Sequence, residues 1–82
     1  MQTENKTTVD TLAKNDIARV AGFKKGRRKL VSKLLEMGVS KGSEIEIVRF
    51  APLGDPIHIR VLGVNFSLRK DEAKYILVVK NR

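Results

Sequence analysis

The stretch SEIEIVRFAPLGDPIHIRVL, residues 43–62, holds the two most regular segments of the chain. Ser43–Phe50 alternates apolar and charged side chains, and Ile57–Leu62 alternates in the same way. Such alternation predicts β-strands that bury one face. Between them lies APLGDP, residues 51–56, whose two prolines and one glycine predict a loop rather than a continued strand. The stretch therefore predicts two paired strands.

The apolar positions predict the register of this pair. Pairing Ile47 with Ile59 and Ile45 with Val61 buries all four side chains, whereas a slip of one residue would turn one set toward solvent. On the outer face, the same register sets two further pairs opposite each other: Glu46 with Arg60, and Val48 with His58. Opposite charges directly across two strands contribute about 0.2–1 kcal/mol.

Upstream of these strands, Leu30–Met37 has the apolar spacing of an amphipathic helix, which we expect to start near Arg27. Gly38 follows as a left-handed cap, and Val39 can make the apolar contact that accompanies such a cap. Ile17–Phe23 predicts an earlier strand, in which Gly22 indicates a bulge. The remaining predicted elements are a short strand at Phe66–Leu68, one helical turn at Arg69–Ala73 and a last strand at Lys74–Val79.

Five short strands and one helix predict a mostly-β fold, and a small barrel in particular, because a closed sheet has no exposed edges. The chain of 82 residues suffices for one domain. We place that domain at residues 9–82 and expect residues 1–8, MQTENKTT, to form a disordered polar tail. The sequence has no cysteine, no secretion signal and no run of about 20 apolar residues, so we expect a soluble cytoplasmic protein that is not membrane-embedded.

The order and spacing of several motifs resemble the FeoA family of accessory proteins in bacterial ferrous-iron uptake. The motifs are LLEMGV at residues 34–39, KGSEIEIVR at 41–49, APLGDPIHIRV at 51–61 and FSLRKDEAKYILV at 66–78. The resemblance implies an SH3-like five-stranded barrel with one inserted α-helix, similar to the C-terminal domain of DtxR-like metal-dependent repressors. It also implies a FeoB-like membrane transporter as the partner.

A net charge of +8 predicts attraction to polyanions or to an acidic partner. The densest cluster surrounds the start of the helix, beside an apolar edge of Val31 and Leu35. We expect these partner-binding residues: Arg27, Arg28, Lys29, Lys33, Val31 and Leu35. The alternative interpretation of the cluster is an ordinary solvated loop and helix face.

Catalysis is not expected, because the only histidine is His58 and no cysteine is available as a nucleophile. A metal site is also not expected, although Glu44, Glu46 and His58 are weak candidate ligands for Fe²⁺ or another divalent transition metal. Glu46 across from Arg60 is more simply a solvated, paired strand residue.

The sequence thus predicts a non-enzymatic adaptor that binds or regulates a FeoB-like transporter at its cytoplasmic side. Two alternatives remain, a nucleic-acid-binding barrel and a metal-sensing regulatory domain. Few aromatic residues are available to stack on bases, so no stable nucleic-acid complex is expected. We expect a monomer or weak self-association.

Overall fold

A computed structural model describes residues 6–80 of the chain. Six strands and two helices follow one another, with a 3₁₀ turn at Val9–Thr11 after the first strand. The elements are β1 Lys6–Thr8, β2 Ile17–Phe23, α1 Arg28–Glu36, β3 Glu44–Phe50, β4 Ile57–Val61, β5 Val64–Leu68, α2 Lys70–Ala73 and β6 Ile76–Lys80.

All the strands belong to one antiparallel sheet in the order β1-β6-β2-β3-β4-β5. Strands β2, β3, β4 and β6 alternate buried and exposed residues, so one face of the sheet encloses the core. Two leucines of α1 are buried in the same cluster. The mostly-β prediction is confirmed, with one helix of nine residues inserted between β2 and β3.

The register between β3 and β4 agrees with the prediction over part of its length. Ile47 lies opposite Ile59, and Glu46 lies opposite Arg60. The prediction that Val48 faces His58 is wrong, because the register shifts between Ile47 and Arg49. This irregularity adds one residue to β3, so Arg49 takes the place across from His58.

The predicted bulge at Gly22 is confirmed, since the pairing of β2 with β6 shifts between Val20 and Gly22. The predicted end of α1 is confirmed as well. Gly38 has a φ of 92°, and the Val39 amide donates to the Leu34 carbonyl at 2.9 Å. The Gly38 amide donates to the Leu35 carbonyl at 3.0 Å, which completes a Schellman motif.

The prediction of a disordered tail through residue 8 is wrong for its last three residues. Lys6–Thr8 forms β1, which pairs with β6 from Lys6 opposite Val79 to Thr8 opposite Leu77. The sheet therefore has six strands rather than five. Polar residues can form such an edge strand because the backbone pairing, not an apolar face, holds them. Residues 1–5 of the predicted tail lie outside the described part of the chain.

A candidate docking surface

The loop before α1 packs against the segment that follows α2. The Lys24 amide donates to the Tyr75 carbonyl at 2.8 Å. A Cβ atom placed on Gly26 would lie 3.5 Å from the Tyr75 ring, so the loop passes close to that ring. Arg27 lies over that ring at 5.5 Å and forms a long ion pair of 3.9 Å with Asp71. These contacts bring the basic loop, residues 24–27, and α2 together on one side of the molecule.

The first turn of α1 concentrates cations where the helix geometry disfavours them. Arg28 and Lys29 occupy this turn, and no acidic residue accompanies them. The Arg27 side chain makes no capping hydrogen bond. A helix N-terminus carries partial positive charge, so cations there cost a few tenths of a kcal/mol to about 1 kcal/mol each. Helix stability therefore does not account for these side chains.

The structure divides the predicted partner-binding residues between two flanks of α1. Lys29 precedes Val31 by two positions, and Lys33 precedes Leu35 by two positions. Because residues two apart on an α-helix point about 160° away from each other, each lysine lies on the flank opposite its apolar partner. Leu35 is 51% exposed, whereas Val31 is half-buried.

The lysine flank opens into two adjoining depressions that share Lys33 and Glu72. One lies against Arg28 at the start of α1 and has a volume of about 480 Å³. The other extends to Asp55 and Arg69. The cationic surface is defined here as the cations of the basic loop, α1 and the α2 segment. They are Lys24, Lys25, Arg27, Arg28, Lys29, Lys33, Arg69, Lys70 and Lys74.

Nine cations thus accompany four carboxylates on this side, those of Glu36, Asp55, Asp71 and Glu72. Three of these carboxylates already have an internal partner, since Asp71 pairs with Arg27. Asp55 accepts a hydrogen bond from the Lys70 amide at 3.0 Å, and Glu72 accepts one from the Arg69 amide at 2.9 Å. Most of the positive charge on the cationic surface is left uncompensated.

The loop at residues 51–56 borders this surface and presents an apolar tip. The Gly54 amide donates to the Ala51 carbonyl at 2.7 Å, and the Ala51 amide donates to the Pro56 carbonyl at 3.0 Å. Leu53 sits between Pro52 and Gly54 at the tip and is 95% exposed. A rigid loop therefore holds one leucine in solvent beside the cations.

The candidate metal ligands do not assemble into a site. Arg60 donates to Glu46 at 3.2 Å and to Asn65 at 3.1 Å, so the Glu46 carboxylate is engaged. The His58 Nδ1 atom lies 3.3 Å from the Ser67 hydroxyl. Among residues 6–80, no group of three histidine, cysteine or acidic side chains is arranged to hold a metal ion. Arg49 across from the imidazole further disfavours a bound cation.

Two parts of this surface were not predicted from the sequence. The cations of residues 69–74 lie far from α1 in the chain, and only the tertiary fold places Arg69 beside Lys33. Leu53 was predicted only as part of the loop at residues 51–56. The sequence contains a signal for each part. The stretch RKDEAK, residues 69–74, carries three cations, and a leucine is unusual in a tight turn, where glycine, proline and small polar residues are preferred.

Fold and surface together define a small SH3-like domain of the mostly-β class with a cationic face. The sequence model of the FeoA domain matches residues 7–80. The chain belongs to the FeoA domain family. The FeoA-like protein of Clostridium acetobutylicum has the same fold, with a TM-score of 0.87 and 36% identity over 99% of this chain and 92% of that one.

A second solved relative is FeoA of Stenotrophomonas maltophilia, described as an SH3 domain protein and solved in complex with zinc. Its TM-score is 0.80 at 28% identity, covering 93% of this chain and 96% of that one. A manganese-dependent transcriptional repressor shares the fold alone, with a TM-score of 0.86 at 16% identity, covering 99% of this chain and 45% of that one. The predicted likeness to the barrel of metal-dependent repressors is thereby confirmed.

Porphyromonas gingivalis has a fusion of Fe(2+) transport protein A with the Fe(2+) transporter FeoB that is 42% identical over 53 residues. Those residues make up 65% of this chain and 6% of the fusion protein. Within residues 6–80 of this chain, no helix is long and apolar enough to cross a membrane.

Proposed function

We propose that this protein is a non-enzymatic accessory factor of ferrous-iron uptake that binds a FeoB-like transporter at its cytoplasmic side. The observation that carries the proposal is the relative in which a matching segment and the transporter FeoB form a single chain. Two units joined in one chain are held at a high effective concentration, which favours fusions of domains that work together. Membership in the FeoA domain family supports the same role.

The outer face of α1 is the proposed contact with the transporter. Arg28 and Lys29 are exposed there although their position costs helix stability, and the half-exposed Leu35 flanks them. Charged residues retained at a cost to stability are typical of functional surfaces. Cations steer the encounter with an acidic partner, and an apolar side chain slows dissociation.

Iron is proposed to be the cargo of the transporter, with no resident cofactor in this domain. Engagement of Glu46 by Arg60 and the hydrogen bond of His58 support this view over the metal-sensing alternative. The nucleic-acid alternative gains from the cationic surface. It loses because Phe23, Phe50, Phe66 and Tyr75 pack against the core, which leaves them poorly placed to stack on bases.

The test is an amide chemical-shift titration of the labelled protein with the soluble cytoplasmic domain of a FeoB-like transporter from the same organism. We expect saturable shifts clustered on residues 27–35. Arg28→Glu with Lys33→Glu should weaken binding by at least about tenfold, since both changes turn attraction into repulsion. The matched control is Lys14→Glu with Lys41→Glu, which changes the net charge equally in turns outside the cationic surface.

Unchanged affinity of the Arg28→Glu, Lys33→Glu variant, with an intact circular dichroism spectrum, would refute this contact. Equal weakening by the control variant would also count against it, because net charge rather than the α1 face would then govern binding.

A further inference from the structure

We propose that the loop at residues 51–56, together with the cations beside it, docks this protein on an anionic membrane surface. The proposed membrane surface overlaps the proposed transporter contact at Lys29 and Lys33 of α1. Its own part is the loop at residues 51–56 and the α2 segment, which the transporter contact does not include. The ligand is the phosphate-bearing surface of a lipid leaflet, with Leu53 entering its apolar boundary.

Leu53 is presented in a way that favours insertion. Ala51, Pro52, Leu53 and Gly54 form a turn closed by the 2.7 Å hydrogen bond between the Gly54 amide and the Ala51 carbonyl. Proline at the second turn position and glycine at the fourth are the residues that such turns prefer. The turn is therefore rigid before any partner arrives, and ordering Leu53 on a membrane costs little conformational entropy.

The loop is also fixed relative to the cations. The Asp55 carboxylate accepts the hydrogen bond of the Lys70 amide at 3.0 Å, which ties the loop to the start of α2. Asp55 and Pro56 line the same depression as Lys33 and Arg69. The depression itself balances Lys33 and Arg69 against Asp55 and Glu72. The excess of positive charge belongs to the whole cationic surface, which the loop carrying the exposed leucine borders.

Charge complementarity selects the occupant. Each lysine or arginine near an anionic leaflet strengthens binding about fivefold, and a single inserted apolar side chain adds to this. A leucine on a projecting tip needs no matching cavity in a lipid boundary, whereas a protein partner would have to supply a pocket of the right shape. Nucleic acid would use the cations but gain nothing from the leucine, because aliphatic side chains do not stack on bases as aromatic ones do.

A second exposed leucine provides a matched control. Leu62 is 75% exposed in the two-residue turn between β4 and β5. It lies at the opposite end of β4 from the loop, about 17 Å away along five residues of strand. Its neighbours in a separate depression include Glu44 and Glu46. A membrane surface that attracts the cations would not be drawn to this end.

The test is co-sedimentation of the full chain with vesicles of phosphatidylglycerol and phosphatidylcholine, compared with vesicles of phosphatidylcholine alone. We expect binding only to the anionic vesicles, and weaker binding as salt rises. Leu53→Glu should weaken binding by about tenfold or more, since burying a leucine side chain is worth that much. Leu62→Glu, which adds the same charge, should weaken it far less.

Arg69→Glu with Lys70→Glu tests the cations. At about fivefold for each lost cation, the loss should reach at least about 25-fold. The fold should survive, because acidic residues at the N-terminus of α2 are favourable. Circular dichroism and urea unfolding of every variant would separate loss of binding from loss of structure.

Absence of binding to anionic vesicles at low salt would overturn the proposal, as would equal losses for Leu53→Glu and Leu62→Glu. Single-stranded RNA that displaced the vesicles and bound the Leu53→Glu variant as tightly as the wild type would assign the surface to nucleic acid instead. The vesicles contain no transporter, so failure here leaves the transporter contact standing. Failure of the transporter titration likewise leaves this result unaffected.

Discussion

The cationic surface and the outer row of the strands both carry charged side chains that reach solvent, but the charges are paired to different extents. In the strand row, Ile17, Glu46, Arg60 and Asn65 follow one another across β2, β3, β4 and β5. Arg60 reaches both neighbours, at 3.2 Å to Glu46 and 3.1 Å to Asn65. On the cationic surface, nine cations share four carboxylates.

The difference separates charges that are paired within the fold from charges that we propose serve binding. In a cross-strand pair, each charge is neutralised by its partner. The pair therefore stabilises the sheet by a small amount and leaves little net charge to attract a ligand. The cations at the start of α1 oppose the helix dipole and have too few carboxylates to pair with. In our proposal, an external anion or acidic partner would compensate this charge when it binds.

The largest effect is expected from a substitution that weakens the packing of α1, which carries part of the cationic surface, against the sheet. Leu34 is 1% exposed and anchors α1 in the core, so Leu34→Ala should lower the free energy of unfolding by about 2–5 kcal/mol. Leu35→Ala, on the exposed side of the same helix, should change it by less than about 0.5 kcal/mol. Urea unfolding measures both. Similar losses for the two variants would mean that α1 is seated differently.

Smaller changes in stability, of opposite sign, are expected from one charge reversal in each of the two regions. Arg60→Glu removes the pair with Glu46 and sets two carboxylates together, so stability should fall by about 1 kcal/mol. Arg28→Glu places a carboxylate in the first turn of α1, so stability should rise by about 0.3–1 kcal/mol.

Thermal unfolding at low ionic strength would compare the two variants, and the difference should shrink as salt is added. The opposite signs are the critical result. If both variants lost stability, the cations of α1 would be structural after all.

The smallest expected effect concerns Asp16, at the start of β2 and away from the cationic surface. A hydrogen bond of 2.7 Å from the Ala13 amide, together with the ion pair to Lys80 at 3.4 Å, lowers the pKa of the Asp16 carboxyl. Its folded pKa lies below the unfolded value of about 3.9. The resulting stability is therefore present above that value and lost as pH falls through the folded pKa.

Asp16→Asn should remove this part of the acid dependence and lower stability slightly near neutral pH. Acid titration followed by circular dichroism, with Asp10→Asn as the control, would measure it. An unchanged acid midpoint in Asp16→Asn would show that the carboxyl contributes nothing to the pH dependence.

The sequence predicted those elements whose signal is local. The alternation in residues 43–50 and 57–62 located β3 and β4, and the spacing of Leu30, Leu34 and Met37 located α1. Its glycine cap follows from the same stretch. The errors arose where backbone pairing decided the outcome. β1 has no apolar pattern, and the irregularity near Val48 adds a residue that no hydrophobic period predicts.

The candidate surface was predicted only in part. The sequence identified Arg27, Arg28, Lys29 and Lys33 as a cluster because they are neighbours in the chain. The helical period alone predicts that Lys29 and Lys33 lie on the flank opposite Val31 and Leu35. Which of the two flanks meets α2 depends on the direction of the core, and only the structure gives that direction. The sequence shows that Arg69 is a cation but not that it lies beside Lys33, since this depends on how β5 and α2 return to α1.

The amino-acid sequence alone is enough to predict the class of fold, the positions of most strands and of the helix, the family, and the excess of positive charge. These follow from short-range periodicity, turn residues and composition, which act within a few residues of the chain. The three-dimensional fold was needed to show that cations of two distant segments border one surface, that Leu53 is exposed beside it, and that Arg60 binds Glu46. Those facts depend on which segments meet in space, and such contacts are set by the packing of the whole core.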